Sequence, residues 1–402
     1  MSVGRATAAA LHYDPTDPAV QADPYPLYRA LREADPVHWN PPGFHFLTRY
    51  RDVHALLRDP RLGADNASTG PAQDNEHTER MAGGDTPSMI LMDPPGHTRL
   101  RALVNKVFAP RSIAYLEQRI ERIADRLLDR WGTGEGDFVA DFAYPLPLEV
   151  ICELLGVPEG DRDDVRDWSE DMAHLVDPVV TPQAVERGLR GRRRIVEYFR
   201  ELAAGRRRAP GDDILSGLIR AEAEGDRLSS DELLSTAALL VVAGHETTAN
   251  MIANGMLALL RHPDQLALLR SSGPGPVPSA VEKMLRYDGP AQAVGRRALT
   301  DLDLHGVPVP RGARLVLSLG AANRDPDRFP DPDRFDINRP DNRHLALSGG
   351  AHFCVGAPLA RMEAAVAFTA LLGRHPRLEL AAEPRWRERT GLRGLRELRI
   401  RI

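Results

Sequence analysis

Cysteine, lysine and long apolar runs are all scarce in this sequence of 402 residues. Its two cysteines are Cys152 and Cys354, which excludes a fold held together by disulfide bonds. The two lysines, Lys106 and Lys283, stand among 52 basic residues, and 57 acidic residues bring the net charge to −5, so nothing indicates a nucleic-acid-binding surface. The longest nearly apolar run, 233–243, is too short to cross a bilayer. We therefore expect a soluble cytoplasmic protein with neither nucleic acid nor a membrane as a partner.

What is present is typical of a large globular chain. Hydrophobic residues make up 42% of the sequence and charged residues 27%, which excludes a disordered protein. Apolar residues recur at helical spacing over 96–273, whereas strand-like segments occur at 44–47, 297–304, 314–319 and near the C-terminus. These patterns predict a mainly α fold with small β-sheets. No linker divides the chain, so a single domain over 1–402 is expected.

Two segments have a definite predicted form. Ser229 and Glu232 form a capping-box pattern, and helical periodicity then continues to Pro263, which predicts a long central helix over 229–262. Residues 62–88 are polar and rich in turn-forming types, and a loop of that length in a compact domain is usually functional or disordered. We interpret 62–92 as a ligand-access loop.

Cys354 is the first candidate for chemistry. It lies in the glycine-rich loop 347–356, directly before a helix that carries Pro358 in its first turn. Free N–H groups at that helix start would stabilise a thiolate and lower the pKa of the thiol. The alternative is a buried cysteine that acts as a small hydrophobe, which is our interpretation of Cys152. A thiolate with histidine nearby fits either a cysteine hydrolase or a haem ligand.

A second candidate lies in the middle of the central helix, at 243–248. Gly244 costs a helix about 1 kcal/mol relative to alanine, and Glu246 and Thr247 follow it. Each has an ordinary alternative, namely an ion pair for Glu246 and a side-chain bond to the preceding turn for Thr247. Together they predict a widened helical turn that faces a ligand, with an acid and a hydroxyl placed to move protons.

Two motifs together resemble those of the cytochrome P450 monooxygenase family: Gly-x-His-x-Cys-x-Gly at 350–356 and Ala-Gly-x-Glu-Thr-Thr at 243–248. The similarity extends over nearly the whole chain. Further motifs fall in the order expected of soluble bacterial members of the family, in particular those that modify macrolides and polyketides: Asp93-Pro-Pro-Gly-His97-Thr-Arg-Leu-Arg101, Gly295-Arg296, Ala322-Asn-Arg-Asp-Pro326 and Phe335-Asp-Ile-Asn-Arg339.

The resemblance implies haem b as the cofactor, with Cys354 as the axial ligand of its iron in the loop 347–356. The same resemblance assigns the two haem propionates to a set of arginines and histidines, since a guanidinium matches a carboxylate geometrically. Thr247 would hold a water molecule, and Glu246 would relay protons from solvent. The implied propionate ligands are His97, Arg101, Arg296 and His352.

The chain departs from the family pattern at a structural motif. The family usually carries Glu-x-x-Arg before the strands, and here Arg286 is preceded by Lys283 in the position of the acid. By resemblance, Arg286 would also meet an arginine of the following irregular segment, here Arg334, and Glu282 could replace the missing acid. We expect weakened folding or haem retention, because an uncompensated buried charge is costly. Leu347 is a second departure, since the family usually has an aromatic residue there.

Partners and substrate also follow from the resemblance. Electrons would come from NAD(P)H through a separate ferredoxin reductase and ferredoxin, with Arg99, Lys106 and Arg361 as candidates for docking, and the enzyme would be a monomer. The substrate would be a hydrophobic small molecule, such as a macrolide or another polyketide, that is hydroxylated or epoxidised. The residues expected to line its site, beside the loop 62–92, are Leu239, Val242, Ala243, Gln292, Val294 and Leu392.

Three alternatives stay open. A peroxide-driven or coupling enzyme of the same fold would need no proton relay, against which Glu246 and Thr247 argue. A catalytically silent relative would be expected to lack the cysteine, although Lys283 keeps this alternative open. A cysteine hydrolase would use Cys354 with histidine and no haem.

Overall fold

The computed structural model describes residues 11–41, 43–64, 88–108, 113–176, 182–223, 228–389 and 391–402. Most of this part of the chain is helical, as the periodicity predicts. The helices are α1 (Pro18–Ala22), α2 (Tyr25–Ala34), α3 (Tyr50–Leu56), α4 (Gly96–Val107), α5 (Glu117–Trp131), α6 (Pro145–Leu154), α7 (Arg162–Ala173), α8 (Pro182–Arg208), α9 (Ile214–Ala223), α10 (Ser230–Arg261), α11 (Pro263–Ser271), α12 (Val277–Asp288), α13 (Leu319–Ala322) and α14 (Ala357–Arg374).

Helix α10 is the central helix of the fold. The predicted capping box is present: the Ser229 hydroxyl accepts a hydrogen bond from the Glu232 N–H, and the Glu232 carboxylate accepts one from the Ser229 N–H. The helix has 32 residues, of which 24 are buried, and it ends where Pro263 opens the next helix. Helices α6, α7, α8, α12 and α14 all pack against it. The main apolar core therefore surrounds α10.

Short strands form small sheets to one side of this helical core. The strands are β1 (Val37–Asn40), β2 (Phe44–Leu47), β3 (Leu62–Gly63), β4 (Glu135–Asp137), β5 (Ala293–Ala298), β6 (Leu302–Leu304), β7 (Val307–Val309), β8 (Arg314–Ser318), β9 (Glu379–Leu380), β10 (Arg385–Trp386), β11 (Leu395–Glu397) and β12 (Arg399–Arg401). The largest sheet has the order β1-β2-β8-β5-β3. In this sheet β2 is parallel to β8. Strand β5 is antiparallel to β8, and Arg296 of β5 lies opposite Leu315 of β8.

The fold confirms the expectation of a mainly α protein with small β-sheets. The segment 323–343, which is rich in proline and aspartate, contains neither helix nor strand. None of the described helices is both long and apolar enough to span a membrane. Of the predicted access loop 62–92, residues 65–87 lie outside the described residues, and Met89–Leu91 form a single 3-10 turn.

Candidate functional site

The loop before α14 holds Cys354 in a defined position. The Cys354 N–H donates to the Leu347 carbonyl at 3.0 Å, which closes the loop. Gly350 has a φ of +66°, and a Cβ at this position would lie 2.2 Å from the Leu57 carbonyl oxygen, so a side chain is excluded there. The loop ends where α14 begins at Ala357, and the backbone N–H groups of Gly356 and Ala357 hydrogen-bond to the Cys354 thiol.

The pKa of Cys354 differs from the sequence-based expectation. Burial raises the pKa of this thiol, and the backbone N–H groups at the start of α14 and the guanidinium groups of Arg101 and Arg361 only partly oppose that effect. The expectation of a lowered pKa is therefore wrong for the protein alone, because desolvation outweighs the helix terminus. A cation bound directly to the sulfur would deprotonate it, as coordinating thiols show.

Four positively charged or hydrogen-bond-donating side chains converge beside this loop. The rings of His97 from α4 and His352 lie 4.2 Å apart between their centroids. Burial, followed by the charges of Arg296, His97 and Arg101, lowers the pKa of His352 to about 3. Burial also lowers the pKa of Arg296 on β5, with the Asp93 carboxylate as a partial counter-charge. The structure thus brings together all four residues that the resemblance assigned to one anionic group.

Arg101 links this cluster to the cysteine. Its guanidinium donates to the Phe353 carbonyl, one residue before Cys354, and to the Asn105 side chain at 3.0 Å. Burial lowers the pKa of Arg101, and the Cys354 thiolate would oppose that change. These four hydrogen-bond donors lie next to one soft sulfur atom and have no anion between them. They fit a bound group that carries two carboxylates and a metal ion, because charge-assisted hydrogen bonds to the carboxylates would relieve the repulsion between the donors.

Accessible surface occurs in the middle of α10 and of β5. On α10, Ala243 is exposed and Gly244 and Thr247 are half-buried, whereas Val242, His245, Glu246 and Thr248 are buried. In β5, an inner strand of its sheet, Gly295 is exposed, and a Cβ placed there would meet no atom within 4 Å. Phe353 in the cysteine loop is 41% exposed. Each of these residues therefore offers surface that a ligand could contact.

The middle of α10 is a regular α-helix, so the predicted widened turn is wrong. The glycine at position 244 is explained by close packing of α10 on α6, because a Cβ there would lie 3.0 Å from the Ile151 side chain. The Thr247 hydroxyl donates to the Ala243 carbonyl at 2.7 Å, which is the bond to the preceding turn that was the ordinary alternative. Its oxygen can still accept a hydrogen bond from a ligand or water.

Glu246 forms a buried ion pair. The Arg389 guanidinium lies 3.0 Å from a Glu246 carboxylate oxygen, with side-chain exposures of 6% and 2%. Arg389 also donates to the Ala173 carbonyl at the end of α7, at 2.6 Å. Sequence reasoning missed Arg389, because it is one of several arginines in an irregular C-terminal segment and no local pattern distinguishes it.

His245 is a further residue that the sequence did not single out. It is fully buried, its ring lies edge-on to Tyr144 at 4.1 Å between centroids, and burial lowers the pKa of His245 to about 3. Tyr144 in turn lines a surface groove of about 800 Å³ together with Glu170 and Arg387. The groove therefore reaches Tyr144, whose ring packs against that of His245.

The low pKa of His245 predicts an acid-sensitive fold. In the unfolded chain His245 binds a proton below its ordinary pKa of 6.5, whereas in the folded protein it binds one only near pH 3. The free energy of unfolding therefore decreases as the pH falls from 6.5 towards 3. Between pH 7 and pH 5 the wild type should lose about 2 kcal/mol through this group. Urea unfolding at both pH values should show that His245→Phe removes this loss, whereas a replacement of the exposed His305 by glutamine should leave it. An equal loss in both variants would contradict the prediction.

The predicted substrate-lining residues differ in exposure. Ala243 is exposed, and Val294 and Leu392 are half-buried beside the sheet. Leu239, Val242 and Gln292 are buried, and their assignment to the substrate site stays a prediction. Leu239 and Val242 are buried in the main core, because the neighbouring helices cover that side of α10. Gln292 is buried too, and its side-chain amide donates to the Gly289 carbonyl at 2.8 Å.

The arginine motif around Arg286 also differs from expectation. Arg286 is buried and donates to the carbonyls of Asn323, Pro332 and Arg334 at 3.0, 2.9 and 3.3 Å, with no carboxylate in this set. The Arg334 side chain is exposed, so its assignment as the arginine that meets Arg286 is wrong. That arginine is Arg339, which is buried and shares the Arg334 carbonyl with Arg286.

Neither neighbouring side chain supplies the missing acid. Glu282 binds Arg361 at 2.6 Å and His344 at 3.2 Å, and these partners hold the pKa of Glu282 at about 2, so it does not replace the acid beside Arg286. Lys283 donates to the Ser279 hydroxyl at 2.8 Å. Burial and the charges of Arg339 and Arg324 lower the pKa of Arg286 to about 9. Arg286 therefore bonds carbonyl groups and no carboxylate, and it lies beside two further guanidinium groups.

Lys283→Glu should stabilise the protein. The shift of the Arg286 pKa from 12.5 to about 9 corresponds to a penalty of roughly 5 kcal/mol at neutral pH, where the folded protein still carries the charge. A carboxylate three residues before Arg286 should recover about 2 kcal/mol of this and raise the midpoint of thermal unfolding. Lys106→Glu, which makes the same charge change at the exposed other lysine, is the control. A lower midpoint for Lys283→Glu than for the wild type would refute this explanation.

A half-buried cysteine in a glycine-rich loop before a helix, with two arginines and two histidines beside it, is the arrangement expected of a haem-thiolate protein. A comparison with family models agrees: the model described as Cytochrome P450 matches residues 37–271 and 277–384. The chain therefore belongs to the cytochrome P450 family, and it is a monooxygenase of that family.

Relatives and solved structures extend the similarity over nearly the whole chain. Cytochrome P450 107B1 of Saccharopolyspora erythraea is 45% identical over 88% of this chain and 88% of its own length. The 6-deoxyerythronolide B hydroxylase of the same species is 40% identical over 94% of this chain and 96% of its own. The crystal structure of myxobacterial CYP267B1 in complex with myristic acid has a TM-score of 0.89 at 43% identity, and covers 96% of this chain and 98% of that one.

Proposed function

We propose that this monooxygenase inserts one oxygen atom of O₂ into a hydrophobic small molecule of secondary metabolism, such as a macrolide or another polyketide, by hydroxylation or epoxidation. The convergence of His97, Arg101, Arg296 and His352 beside Cys354 carries the proposal. Haem b bound there supplies the activation of dioxygen and the transfer of one oxygen atom to the substrate. The family implies this cofactor, and the residues present fit it.

Each residue of the cluster has a distinct task in holding the haem. The Cys354 sulfur would bind the iron, and the N–H groups of Gly356 and Ala357 temper its charge. Arg101 and Arg296 would bind the propionates through paired N–H donors, and His97 and His352 would complete the contact as neutral donors. The pKa of His352, which burial and its cationic neighbours lower to about 3, supports the neutral form.

Glu246 and Thr247 would deliver protons to the reacting oxygen. The Thr247 hydroxyl donates its proton to the Ala243 carbonyl, so its oxygen would accept a hydrogen bond from a water molecule beside α10. Arg389 stabilises the charged form of Glu246, so proton transfer through this carboxylate needs water to reach the ion pair. The groove lined by Tyr144, Glu170 and Arg387 would be one source of that water, and a smaller pocket lined by Arg389 itself would be another.

The substrate class rests on apolar surface and on relatives. Ala243 is exposed on α10, and Val294 and Leu392 lie at the edge of the sheet, which suits an apolar ligand. One relative is named for the hydroxylation of 6-deoxyerythronolide B, and one structural neighbour binds myristic acid. A large, mostly apolar substrate is consistent with both.

Electrons would come from NAD(P)H through a ferredoxin reductase and a ferredoxin. Of the three residues expected to dock the ferredoxin, Arg99 pairs with Glu232 and Arg361 pairs with Glu282. Lys106 is exposed on α4. All three residues stay candidates for docking the ferredoxin, and Arg99 and Arg361 would in addition stabilise the fold through these ion pairs.

A binding screen on the haem-loaded protein tests the substrate class. Displacement of water from the iron by a bound ligand shifts the Soret band, so each compound reports its own occupancy. Macrolide aglycones and linear polyketides should shift the band at micromolar concentrations, and polar sugars of similar size should not. A protein that responds to the polar set alone would overturn the proposed substrate class.

A further inference from the structure

Tyr144, directly before α6, has a buried hydroxyl group. The residue is 7% exposed, and no described residue meets hydrogen-bond geometry with its hydroxyl oxygen. Within the described ranges no other tyrosine hydroxyl is both buried and without such a partner. Tyr25, for comparison, donates to Asp288 at 2.7 Å, and Tyr198 donates to Asp161 at 2.8 Å. Because an unpaired buried hydroxyl is costly, its position requires an explanation.

On one side, Tyr144 meets the groove of about 800 Å³ that Glu170 and Arg387 also line. The Glu170 side chain is 37% exposed and lies 4.0 Å from the Arg387 guanidinium, which in turn lies 5.1 Å from the centre of the Tyr144 ring. Burial, followed by the Glu170 carboxylate, raises the pKa of Tyr144 well above its usual value. A carboxylate that solvent can protonate therefore lies close to the buried hydroxyl.

Tyr144 also contacts the middle of α10. The His245 ring packs edge-on against the Tyr144 ring, 4.1 Å between centroids, and both nitrogens of His245 are buried and lack a partner among the described residues. Glu246 is the next residue, and its charge also raises the pKa of Tyr144. Because the pKa of His245 is about 3, its ring is neutral at neutral pH and does not repel a proton. Tyr144 thus adjoins both the groove and the turn that carries Glu246.

A smaller pocket approaches Glu246 through Arg389 and has a volume of about 30 Å³. A space of this size holds about one water molecule. Arg389 donates to Glu246 and to the Ala173 carbonyl, and a guanidinium does not lose its proton in proteins. Arg389 therefore cannot pass a proton on. A tyrosine hydroxyl, in contrast, both donates and accepts.

We propose that Tyr144 is a positioning residue for proton delivery, and that its hydroxyl connects the Glu170 carboxylate in the groove with Glu246 on α10. A proton from groove water reaches Glu170, and the Tyr144 oxygen accepts it while the hydroxyl releases its own proton towards Glu246. Tyr144 is again a neutral phenol after each passage, and nothing is oxidised or reduced. The inference rests on the proposed function, because it names the entrance to the relay of Glu246 and Thr247.

Oxygen consumption by the haem-loaded full chain tests the inference, with NADPH, a plant-type ferredoxin and its reductase in excess and no organic substrate. Reduction of one O₂ to hydrogen peroxide takes two electrons and two protons, so the result does not depend on the substrate class. Tyr144→Phe keeps the ring, and it should consume oxygen at least about tenfold more slowly than the wild type. The ratio of the rates in ordinary and heavy water should rise. Tyr198→Phe, which removes a hydroxyl that donates to Asp161, should match the wild type.

Electron delivery is measured separately, because the reduced carbon monoxide complex forms with electrons and without protons. Its rate of formation should be equal in Tyr144→Phe and the wild type. Glu170→Gln should also slow oxygen consumption, whereas Glu159→Gln, which changes an exposed acid of the same groove, should not. Equal oxygen consumption in Tyr144→Phe and the wild type would overturn the inference, as would an equal slowing of oxygen consumption and of complex formation.

Urea unfolding gives a readout apart from activity. A hydroxyl that takes part in a hydrogen-bonded path stabilises the fold, so Tyr144→Phe should lower the equilibrium constant for folding about fivefold. A Tyr144→Phe variant that is more stable than the wild type would mean that the hydroxyl stays unpaired, which contradicts the inference. Failure of the proposed function is distinguishable, because a wild type without the thiolate band under carbon monoxide refutes the cofactor assignment whatever Tyr144 does.

Discussion

Replacing Arg389 by methionine is expected to lower the free energy of unfolding by about 3–5 kcal/mol. The Glu246 carboxylate is 2% exposed and lies 3.0 Å from this guanidinium, so the substitution leaves a buried negative charge without its cationic partner. Arg389 also donates to the Ala173 carbonyl, and the variant loses this hydrogen bond between the C-terminal segment and α7.

Urea unfolding of the haem-loaded protein measures this effect, and two further variants interpret it. Arg385→Met removes an arginine whose ion pair with Glu397 is mostly exposed, so a change within about 0.5 kcal/mol is expected. Glu246→Gln in the Arg389→Met background removes the stranded charge and should recover most of the lost stability. If Arg389→Met and Arg385→Met unfold alike, the buried pair does not have the role assigned to it.

Replacing Thr247 by alanine should leave the haem-thiolate spectrum intact and yet uncouple the reaction. The hydroxyl makes a single bond within its own helix, to Ala243, so the fold should tolerate its loss. Proton delivery by positioned groups is worth about 10²–10⁴-fold in rate, so the yield of product per NAD(P)H should fall at least about tenfold, with the electrons appearing as hydrogen peroxide. Assays of product and peroxide against NAD(P)H consumed measure the effect.

Thr248 offers the matched control for this experiment. It is the next residue of the same helix and is buried, whereas Thr247 reaches the open space. Thr248→Ala removes an equal group from a core position and should keep the yield of product near that of the wild type. Tight coupling in Thr247→Ala would contradict the assigned proton role.

Sequence patterns were most informative where structure is local. The capping box at Ser229 and Glu232 gave the start of α10 correctly, because both hydrogen bonds lie within one turn. The glycine-rich loop around Cys354 is similar, since Gly350 must adopt a positive φ against the Leu57 carbonyl. Motifs in register also identified the family, and the structure brings the two arginines and two histidines of the predicted propionate set together.

Predictions failed where distant parts of the chain decide the outcome. Arg389 is 143 residues from Glu246 in sequence, so no local pattern connects them. Arg334 and Arg339 lie in one irregular segment, and only the backbone path shows that Arg339 turns inward. The pKa of Cys354 is raised because burial of the loop outweighs the helix terminus, which is a property of the packed molecule.

Coordination of haem iron by Cys354 is the central claim, and the absorption spectrum of the reduced protein under carbon monoxide tests it most directly. The wild type should show the strongly red-shifted Soret band that a thiolate ligand produces, and Cys354→Ala should lose it, whereas Cys152→Ala, which changes the fully buried second cysteine, should keep it. A folded wild type without that band when supplied with hemin, or a Cys354→Ala variant that retains the band, would contradict the claim.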